Sequence, residues 1–426
     1  SRGAQKGILT MVKLLVIADD FTGALDTGVQ FAASGAETRV VTNIEYDFSR
    51  TGREVQVLVL VAETRHVKWE EAYRMVYGIA KRACESGIPY LYKKTDSALR
   101  GNIGSELKAV LDAAGKHTFH FLPAFPRMNR VTRNGIHYID GSPVHESVFG
   151  KDPFEPVTCS YIPDMMRGEV PVTVVESMDG WERQNGVMVY DASTDEELMS
   201  IGSFLKEKGE LGLTAGCAGF AAVLPQLLGL SGKRRERISL DKKFLVACGS
   251  VNPITVRQLD YAERAGMKRI RLTPEQKLEK DYLESEEGNR ALEEWTKTAL
   301  EEECCIFDTN DLPGCRAACE YAGSHGLSLD ELRVRIADTL GRVVEHLVRA
   351  GVKSTMLLTG GDTLMGFMRH IGCDEIVPVC EMAPGTVLSQ VDIDGRTYSI
   401  ISKSGGFGEE KLIAELAEKI GGRHLE

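Results

Sequence analysis

One stretch near the N-terminus constrains the fold more than any other part of the chain. Five apolar residues, Leu14 to Ala18, are typical of a buried parallel strand, and they end at the adjacent carboxylates Asp19 and Asp20. A Thr-Gly pair then begins a pattern of helical period. This order predicts an open α/β sheet, in which such turns lie at the carboxyl ends of the strands, where ligands bind.

The residues alone leave two interpretations of this acidic pair open. Asp20 could simply cap the following helix, because Asp is a common N-cap residue. Alternatively, the pair could accept a proton or hold a cation, beside a helix N-terminus whose N–H groups attract an anion. Two acids in a row after a buried strand favour the second interpretation.

Polar turns follow two further predicted strands in this half of the chain. The strand at residues 55–61 leads to a loop containing Arg65, and the strand at residues 90–95 leads to a turn rich in hydrogen-bonding groups. In that turn, Arg100 supplies a planar fork suited to a carboxylate or phosphate, and Lys94 supplies a compact charge. The other candidates for ligand contact are Asp96, Ser97, Gly101 and Asn102. An ordinary solvated loop with a helix cap is the alternative.

After the next predicted strand, three arginines (Arg127, Arg130 and Arg133) cluster before a predicted hairpin whose turns are Asn134-Gly135 and Asp140-Gly141. Long irregular excursions of this kind are often functional or act as lids, although solvent exposure alone also explains the arginines.

The second half of the chain repeats the pattern with glycine in place of acids. A buried strand at residues 244–248 leads to Ser250, and another at residues 355–359 leads to Gly360, Gly361, Asp362 and Thr363. A third strand leads to Lys403, Gly405 and Gly406. We predict a helix at residues 364–371, directly after the glycine turn, and another from about residue 281 to residue 302. Glycine, an acid and a hydroxyl at a strand-to-helix junction suit phosphate oxygens and Mg²⁺. Although a Walker A motif is missing, three such turns favour a nucleotide.

Length and composition limit the class of protein. A chain of 426 residues predicts two domains, and we place them at residues 11–232 and 233–426 because the segment between them is polar and basic. The net charge of −11 argues against nucleic-acid and anionic-membrane partners. Without a long apolar run, we expect a cytoplasmic protein. Residues 1–10 and 425–426 are expected to be additions for expression, with Met11 as the native start.

The cysteines and histidines give little sign of a metal site: the adjacent pair Cys304-Cys305 leaves one open, although it lies in a predicted strand. The 10 cysteines are scattered without a Cys-x-x-Cys pair, and the 9 histidines show no His-x-x-x-His spacing. We therefore expect the cysteines to be small buried apolar residues.

Four motifs resemble the four-carbon acid sugar kinase family. They are residues 18–24 (ADDFTGA), 94–102 (KTDSALRGN), 360–363 (GGDT) and 403–408 (KSGGFG), and the resemblance extends from Met11 onward. It implies two α/β domains with mostly parallel sheets flanked by helices, the first holding a sugar acid and the second ATP with Mg²⁺, and an active site in the interdomain cleft. It also implies phosphorylation of the terminal hydroxyl of threonate, erythronate or 3-oxo-tetronate. Departures from the family pattern are Ala98, where threonine is expected, and Val61-Ala62.

This resemblance suggests roles for the candidate residues. Asp20 would accept the proton of the substrate hydroxyl, with Asp96 as the main alternative, while Asp19 orients the turn within the substrate-binding set. Arg65, Lys94 and Arg100 would bind the substrate carboxylate and hydroxyls, together with Ser97, Gly101 and Asn102. The phosphates would lie among Ser250, Gly360, Gly361, Thr363, Lys403, Gly405 and Gly406, with Asp362 towards the metal. A hinge at residues 232–242 would close the site and exclude water.

Rival functions remain open at this point. A sugar-acid sensor could use the N-terminal site without chemistry, although it would not need the glycine turns. A nucleotide-dependent dehydrogenase would need a Gly-x-Gly-x-x-Gly fingerprint, which is missing. The sequence also leaves both a monomer and a homodimer open.

Overall fold

The computed structural model describes residues 11–152, 155–233 and 238–422, which fall into two compact units that divide near residue 234. The ends that we expected to be additions for expression, residues 1–10 and 425–426, lie outside the described residues. So do residues 234–237 of the expected hinge.

The first unit is built on a parallel sheet. Its strands are β1 (Leu14–Ala18), β2 (Thr38–Val41), β3 (Val57–Val61), β4 (Tyr90–Lys94), β5 (Thr118–Leu122), β6 (Arg130–Arg133), β7 (Ile136–Ile139), β8 (Ser142–Pro143), β9 (Val172–Val175), β10 (Gly186–Tyr190) and β11 (Leu213–Gly216). Its helices are α1 (Phe21–Ala33), α2 (Trp69–Glu85), α3 (Ile103–Ala114), α4 (Ile162–Met165), α5 (Asp195–Glu207), α6 (Ala218–Ala221) and α7 (Leu224–Leu228). The parallel sheet has the order β2-β3-β1-β4-β11-β5-β10-β9.

The predicted strands of this sheet are confirmed, and the reason is burial. All five residues of β1 are buried, as are those of β3, because helices cover both faces of a parallel sheet. The side chains of Leu15, Ile17, Leu58 and Leu60 belong to one apolar cluster with those of α2 and α3.

A small antiparallel sheet, β6-β7-β8, forms an excursion from the first unit that we call the hairpin arm (residues 125–152). Its turns lie at Asn134-Gly135 and Asp140-Gly141, where all four residues have positive φ, as a tight hairpin requires. Both turns were predicted and are confirmed. The arm packs on Ala98, which is fully buried in an apolar cluster with Ile139, Val144 and Val157.

The second unit has a sheet that is parallel over five strands and antiparallel over the rest. Its strands are β12 (Phe244–Cys248), β13 (Lys268–Arg271), β14 (Cys304–Asp308), β15 (Thr355–Thr359), β16 (Glu375–Ala383), β17 (Thr386–Ile393) and β18 (Arg396–Lys403), in the order β13-β14-β12-β15-β18-β17-β16. Its helices are α8 (Pro253–Arg264), α9 (Pro274–Leu278), α10 (Glu286–Glu301), α11 (Ala317–Ser324), α12 (Leu329–Arg349), α13 (Gly361–Ile371) and α14 (Leu412–Gly422). The two predicted α/β folds with mostly parallel sheets are therefore confirmed.

Three expectations need correction. Helix α13 begins at Gly361 rather than Leu364, so Asp362 and Thr363 lie in its first turn. The helix predicted from residue 281 is divided, because Ser285 caps α10 and a separate 3-10 turn (Tyr282–Glu284) precedes it. Only three cysteines (Cys217, Cys248 and Cys305) are buried, whereas Cys315 and Cys319 are exposed, so the cysteines are not uniformly core residues.

Two features are absent from the described residues. None of their helices combines the length and apolar character needed to span a membrane. They also contain no group of three or more His, Cys, Asp or Glu side chains arranged to hold a metal ion.

Candidate functional site

Strand register brings the polar turns of the first unit together. Ala18 of β1 lies opposite Val61 of β3 and Lys94 of β4 in the parallel ladder. The loops that follow these strands therefore leave the sheet at the same edge. Asp19, Asp20, Arg65 and Asp96 are neighbours for this reason, as the sequence predicted.

Arg65 lies between the three carboxylates. Its Nε is 3.0 Å from Asp19 Oδ2, and its Nη2 is 3.0 Å from Asp20 Oδ1 and 3.4 Å from Asp96 Oδ1. On the other side, Lys94 Nζ lies 3.6 Å from Asp19 Oδ1 and 3.5 Å from Asp20 Oδ1. Burial alone would raise the pKa of Asp19, but Arg65 and Lys94 outweigh it and hold that pKa below its ordinary value.

The Asp96 carboxylate is bound by Arg100 through several hydrogen bonds. The guanidinium of Arg100 donates from Nε to Oδ2 at 2.7 Å and from Nη2 to Oδ1 at 3.0 Å, and the Arg100 backbone N–H adds a bond of 3.2 Å. Burial would raise the pKa of Asp96, yet Arg100 and Arg65 hold it well below the ordinary range. An acid with so low a pKa and so many donors around it is a weak proton acceptor.

Asp20 combines the two roles that the sequence left open. It caps α1, since its Oδ1 accepts a hydrogen bond from the Gly23 N–H at 3.2 Å. The side chain of Asp20 is nevertheless 24% exposed, against 2% for Asp19 and 7% for Asp96. Of the three acids, Asp20 is therefore the most accessible to a substrate hydroxyl.

Glycine at position 23 is needed for this geometry. A Cβ added there would lie 2.2 Å from Lys94 Nζ and 2.4 Å from Asp20 Oδ1. Any side chain at this position would displace the lysine or the capping carboxylate. The Thr-Gly pair that marked the helix start therefore also makes room for the charge cluster.

Ser97, Gly101 and Asn102 shape the loop around these charges. The Asn102 amide donates to the carbonyls of Thr64 and Val67, both at 2.9 Å, so it ties this loop to the loop that carries Arg65. The Ser97 hydroxyl accepts a hydrogen bond from Arg130. Gly101 has φ of 95°, and a Cβ there would contact Arg65 Cγ at 3.4 Å. In this structure, the Asn102 amide group therefore donates its hydrogen bonds to backbone carbonyls.

A buried ionic layer beneath the cluster was not predicted. Lys93 is fully buried, donates to the Lys94 carbonyl at 2.7 Å and lies 3.6 Å from Glu106 Oε1. Glu106 in turn accepts a hydrogen bond from the Thr64 hydroxyl. Burial raises the pKa of Glu106. The signal in the sequence was the pair of adjacent lysines in one strand, because neighbouring side chains point to opposite faces and only one of the two can face the acids.

Register also gathers the glycine turns of the second unit. Cys248 of β12 lies opposite Thr359 of β15, which lies opposite Lys403 of β18. The contacts are close: a Cβ added at Gly405 would lie 2.6 Å from Ser250 Oγ, and one at Gly249 would lie 2.1 Å from Thr363 Oγ1. Gly360 has φ of 97°, which only glycine adopts readily. Only glycines permit this close approach of the three loops.

Lys403 is a buried cation at the centre of these turns. Its Nζ donates to Thr255 Oγ1 at 3.0 Å and to the carbonyl of Ser404 at 2.9 Å. Within the described part of the chain, no carboxylate lies at ion-pair distance from it. Burial lowers the pKa of Lys403 to about 8. A buried ammonium group among neutral partners suits an anionic ligand.

Asp362, the expected metal ligand, forms an ion pair with Arg333 of α12, and its side chain is 40% exposed. A protein cage for a metal is not needed here, because Mg²⁺ in nucleotide sites commonly keeps one or two carboxylates and takes its remaining ligands from phosphates and water. Asp362 with the Thr363 hydroxyl fits that limited donor set. The partner Arg333 was not predicted.

Comparison with known proteins agrees with this geometry. A family model described as the sugar-binding N-terminal domain matches residues 14–224, and one described as the nucleotide-binding C-terminal domain matches residues 245–413. D-threonate kinase of Salmonella typhimurium is 29% identical over 95% of this chain and 97% of that protein. D-erythronate kinase of Heliobacterium modesticaldum is 28% identical over 87% of this chain and 89% of that protein. The chain belongs to the four-carbon acid sugar kinase family.

A solved structure supports the fold of this family member. A crystal structure from Salmonella typhimurium LT2 matches with a TM-score of 0.77 at 21% identity, covering 95% of this chain and 98% of that one. Family membership makes the chain a phosphotransferase whose acceptor is a hydroxyl of a sugar acid. The site residues named above remain predictions.

The family departure at Ala98 has a structural reason. Ala98 is fully buried and packs under the hairpin arm, where a hydroxyl would lie among apolar side chains. Arg130 reaches the site from the same arm. The sequence showed a cluster of arginines there, but not which of them turns inward.

Proposed function

We propose that this kinase transfers the γ-phosphoryl group of ATP to the terminal hydroxyl of a four-carbon sugar acid, such as threonate, erythronate or 3-oxo-tetronate, to give the 4-phosphate and ADP. The observation that carries the proposal is Lys403, a buried cation whose ammonium group donates only to a hydroxyl and to backbone carbonyls at the glycine turns. Such a site suits the phosphates of a nucleotide.

On the acceptor side, Asp20 takes the proton of the terminal hydroxyl as its oxygen forms a bond to the γ-phosphorus. Asp19 and Asp96 stay ionised and hold Arg65 in position, because each carboxylate forms an ion pair with the Arg65 guanidinium. The bond between the γ-phosphorus and the β–γ bridging oxygen breaks, and ADP leaves with that oxygen. The exposed fractions of the three acids favour Asp20 over Asp96 as the base.

On the nucleotide side, Lys403 and the turns at Ser250, Gly360 and Gly405 would hold the phosphates. Gly361, Thr363 and Gly406 belong to the same turns and would line the same space. When bound, Mg²⁺ would neutralise phosphate charge, and Asp362 would be the carboxylate that holds it. The interdomain cleft that should unite the two half-sites stays a prediction.

The printed names of the relatives guide the choice of acceptor. Similar proteins are called D-threonate kinase and D-erythronate kinase, and both substrates are four-carbon acids that differ in one stereocentre. At 28–29% identity, the names support the substrate class for this chain.

A coupled ADP-release assay over a panel of four-carbon sugar acids tests the proposal. We expect ADP formation that requires ATP, Mg²⁺ and one of the acids together. A sugar-acid sensor would bind an acid without releasing ADP, and a dehydrogenase would change nicotinamide absorbance instead. Acid-independent ADP release, or none with any acid, would contradict the proposal.

A further inference from the structure

An ion pair at the edge of the candidate phosphate site holds the carboxylate that is expected to meet the metal. Arg333 of α12 donates a hydrogen bond from Nη1 to Oδ2 of Asp362, in the first turn of α13. Its Nε also lies 3.8 Å from Asp330 Oδ1, on a side chain that is 81% exposed. Asp362 is therefore the closer acidic partner of Arg333.

Packing of the two helices holds this pair in place. A Cβ added at Gly366 of α13 would lie 2.7 Å from the Ala337 carbonyl oxygen of α12, and one added at Gly341 would lie 2.5 Å from the Gly366 carbonyl carbon. Ala337 and Gly366 each follow a member of the ion pair by about one helical turn. Close contact of the two backbones therefore presents Arg333 to the start of α13.

The start of α13 is also part of the candidate phosphate site. Thr363, the residue after Asp362, contacts the turn that follows β12, since a Cβ added at Gly249 would lie 2.1 Å from Thr363 Oγ1. Ser250 belongs to that same turn. The Arg333 guanidinium therefore lies beside the turns that are proposed to hold phosphate.

The ion pair is open enough to be exchanged. The side chain of Arg333 is 24% exposed and that of Asp362 is 40% exposed. Partly exposed ion pairs add little net stability, because water solvates both partners. A divalent cation attracts a carboxylate more strongly than a guanidinium does, because its charge is higher. Exchange at Asp362 would leave Arg333 with an uncompensated charge beside incoming phosphates.

We propose that Arg333 is a nucleotide-binding residue that exchanges partners. It neutralises Asp362 while no metal is bound, and it pairs with a phosphate oxygen once the Asp362 carboxylate binds Mg²⁺. This inference rests on the proposed function, because it needs a magnesium nucleotide at this site. The exchange makes the binding of metal and nucleotide cooperative.

Calorimetry of ATP binding without the sugar acid, once in EDTA and once in Mg²⁺, tests the exchange. Asp362→Asn frees Arg333 without a metal, so in EDTA this variant should bind ATP about 10-fold more tightly than the wild type, as one added charge-assisted hydrogen bond would give. Mg²⁺ should tighten ATP binding to the wild type by a similar factor and add little for Asp362→Asn. An Asp362→Asn variant that binds ATP in EDTA no better than the wild type would contradict the exchange.

The double variant Arg333→Met/Asp362→Asn separates pairing with phosphate from simple loss of repulsion. If lost repulsion alone explained the gain, this variant would bind ATP in EDTA as tightly as Asp362→Asn does. We expect it to bind about 10-fold more weakly, because methionine keeps an unbranched apolar stem but carries no charge. Arg333→Lys in place of Arg333→Met should recover part of the affinity, because lysine keeps the charge without the planar fork.

Arg342→Met is the matched control for the arginine. Arg342 lies on the same helix, is 28% exposed and forms an ion pair of 3.3 Å with Glu284. In Mg²⁺, Arg333→Met alone should weaken ATP binding about 10-fold, whereas Arg342→Met should leave it unchanged. Equal losses in the two variants would trace the effect to helix α12 in general and overturn the inference.

Failure of this inference and failure of the proposed function give different results. An active enzyme in which Asp362→Asn and the double variant bind ATP alike in EDTA would overturn the inference alone. A chain that shows the expected pattern of ATP binding, but releases no ADP with any four-carbon acid, would overturn the proposed function alone.

Discussion

The strand-end clusters of the two units differ in how their cations are balanced. In the first unit, Arg65, Lys94 and Arg100 face Asp19, Asp20 and Asp96 at distances of 2.7–3.6 Å. In the second unit, Lys403 is buried among a hydroxyl and two carbonyls. In the first cluster, the cations form ion pairs with acids of the protein. In the second cluster, an anionic ligand would supply the counter-charge for Lys403.

This difference suggests a division of labour between the units. A rigid, internally paired cluster can orient a neutral hydroxyl and receive its proton with little reorganisation. A buried lysine between glycine turns gains its strongest partner only when phosphates arrive. Substitutions in the first cluster should therefore act on turnover, and substitutions in the second on nucleotide affinity.

The largest expected effect comes from removing the base. Asp20→Asn keeps the cap on α1, because asparagine also accepts from the Gly23 N–H, but it cannot take a proton. We expect kcat to fall by about 100-fold or more, as loss of a general base does, while ATP affinity stays within about twofold of wild type. Steady-state kinetics with calorimetry of ATP binding measures both. Near-normal turnover would exclude Asp20 as the base and return the role to Asp96.

The next-largest effect should come from replacing Lys403, the buried lysine whose partners are neutral groups. Lys403→Met removes the buried ammonium group while keeping most of the side-chain volume, and we expect ATP to bind about 10- to 100-fold more weakly because charge-assisted bonds are lost. Affinity for the sugar acid should not change. Lys411→Met, at an exposed lysine of the same unit, is the control. Weakened sugar-acid binding with intact ATP binding would reverse the assignment of the two units.

A smaller effect should appear when pH rises. Burial lowers the pKa of Lys403 to about 8, so its ammonium form is present below that pH and is lost above it. Since phosphates bind the charged form, ATP affinity should fall between pH 8 and pH 9.5, by at most about tenfold per pH unit. Calorimetry across this range tests the prediction. The same slope in Lys403→Met would show that another group titrates.

The smallest effect concerns acid stability of the first unit. His137 is buried, with Nε2 2.8 Å from the Ser97 carbonyl and Nδ1 3.1 Å from Thr132 Oγ1, and burial lowers its pKa to about 4. The neutral ring is the native form, so its contribution to stability is complete above the unfolded pKa and is lost as pH falls from about 6.5 towards 4. Between pH 7 and pH 5 we expect a loss of about 2 kcal/mol.

Thermal melts of the full chain at these pH values check this loss. His137→Gln should flatten the pH dependence, whereas His325→Gln, at an exposed histidine of the second unit, should leave it unchanged. An unaltered slope in His137→Gln would contradict the assignment.

Much of the site could be predicted because hydrophobic runs define parallel strands, and parallel strands bring their carboxyl ends to one edge. That reasoning placed Asp19, Asp20, Arg65 and Asp96 together, and likewise Ser250, Gly360 and Lys403. It could not rank Asp20 against Asp96, because the ranking depends on exposure and on the bidentate contact with Arg100.

Side-chain contacts between segments that are distant in the chain could not be predicted from the sequence. Arg130 reaches Ser97 only because the hairpin arm packs over Ala98, and Arg333 reaches Asp362 only because α12 lies beside α13. The start of α13 was misplaced for a local reason: two glycines suggested a loop, yet Gly360 is the N-cap and Gly361 is already helical. Burial and side-chain direction decided each of these points.

In the proposed reaction, the C4 hydroxyl oxygen of the sugar acid receives the phosphoryl group. Proton–phosphorus correlation NMR of the product formed from ATP, Mg²⁺ and the preferred four-carbon acid measures this directly. We predict a single phosphorus signal that couples to the two protons on C4. Phosphorus on another carbon, or inorganic phosphate as the only product, would contradict the account.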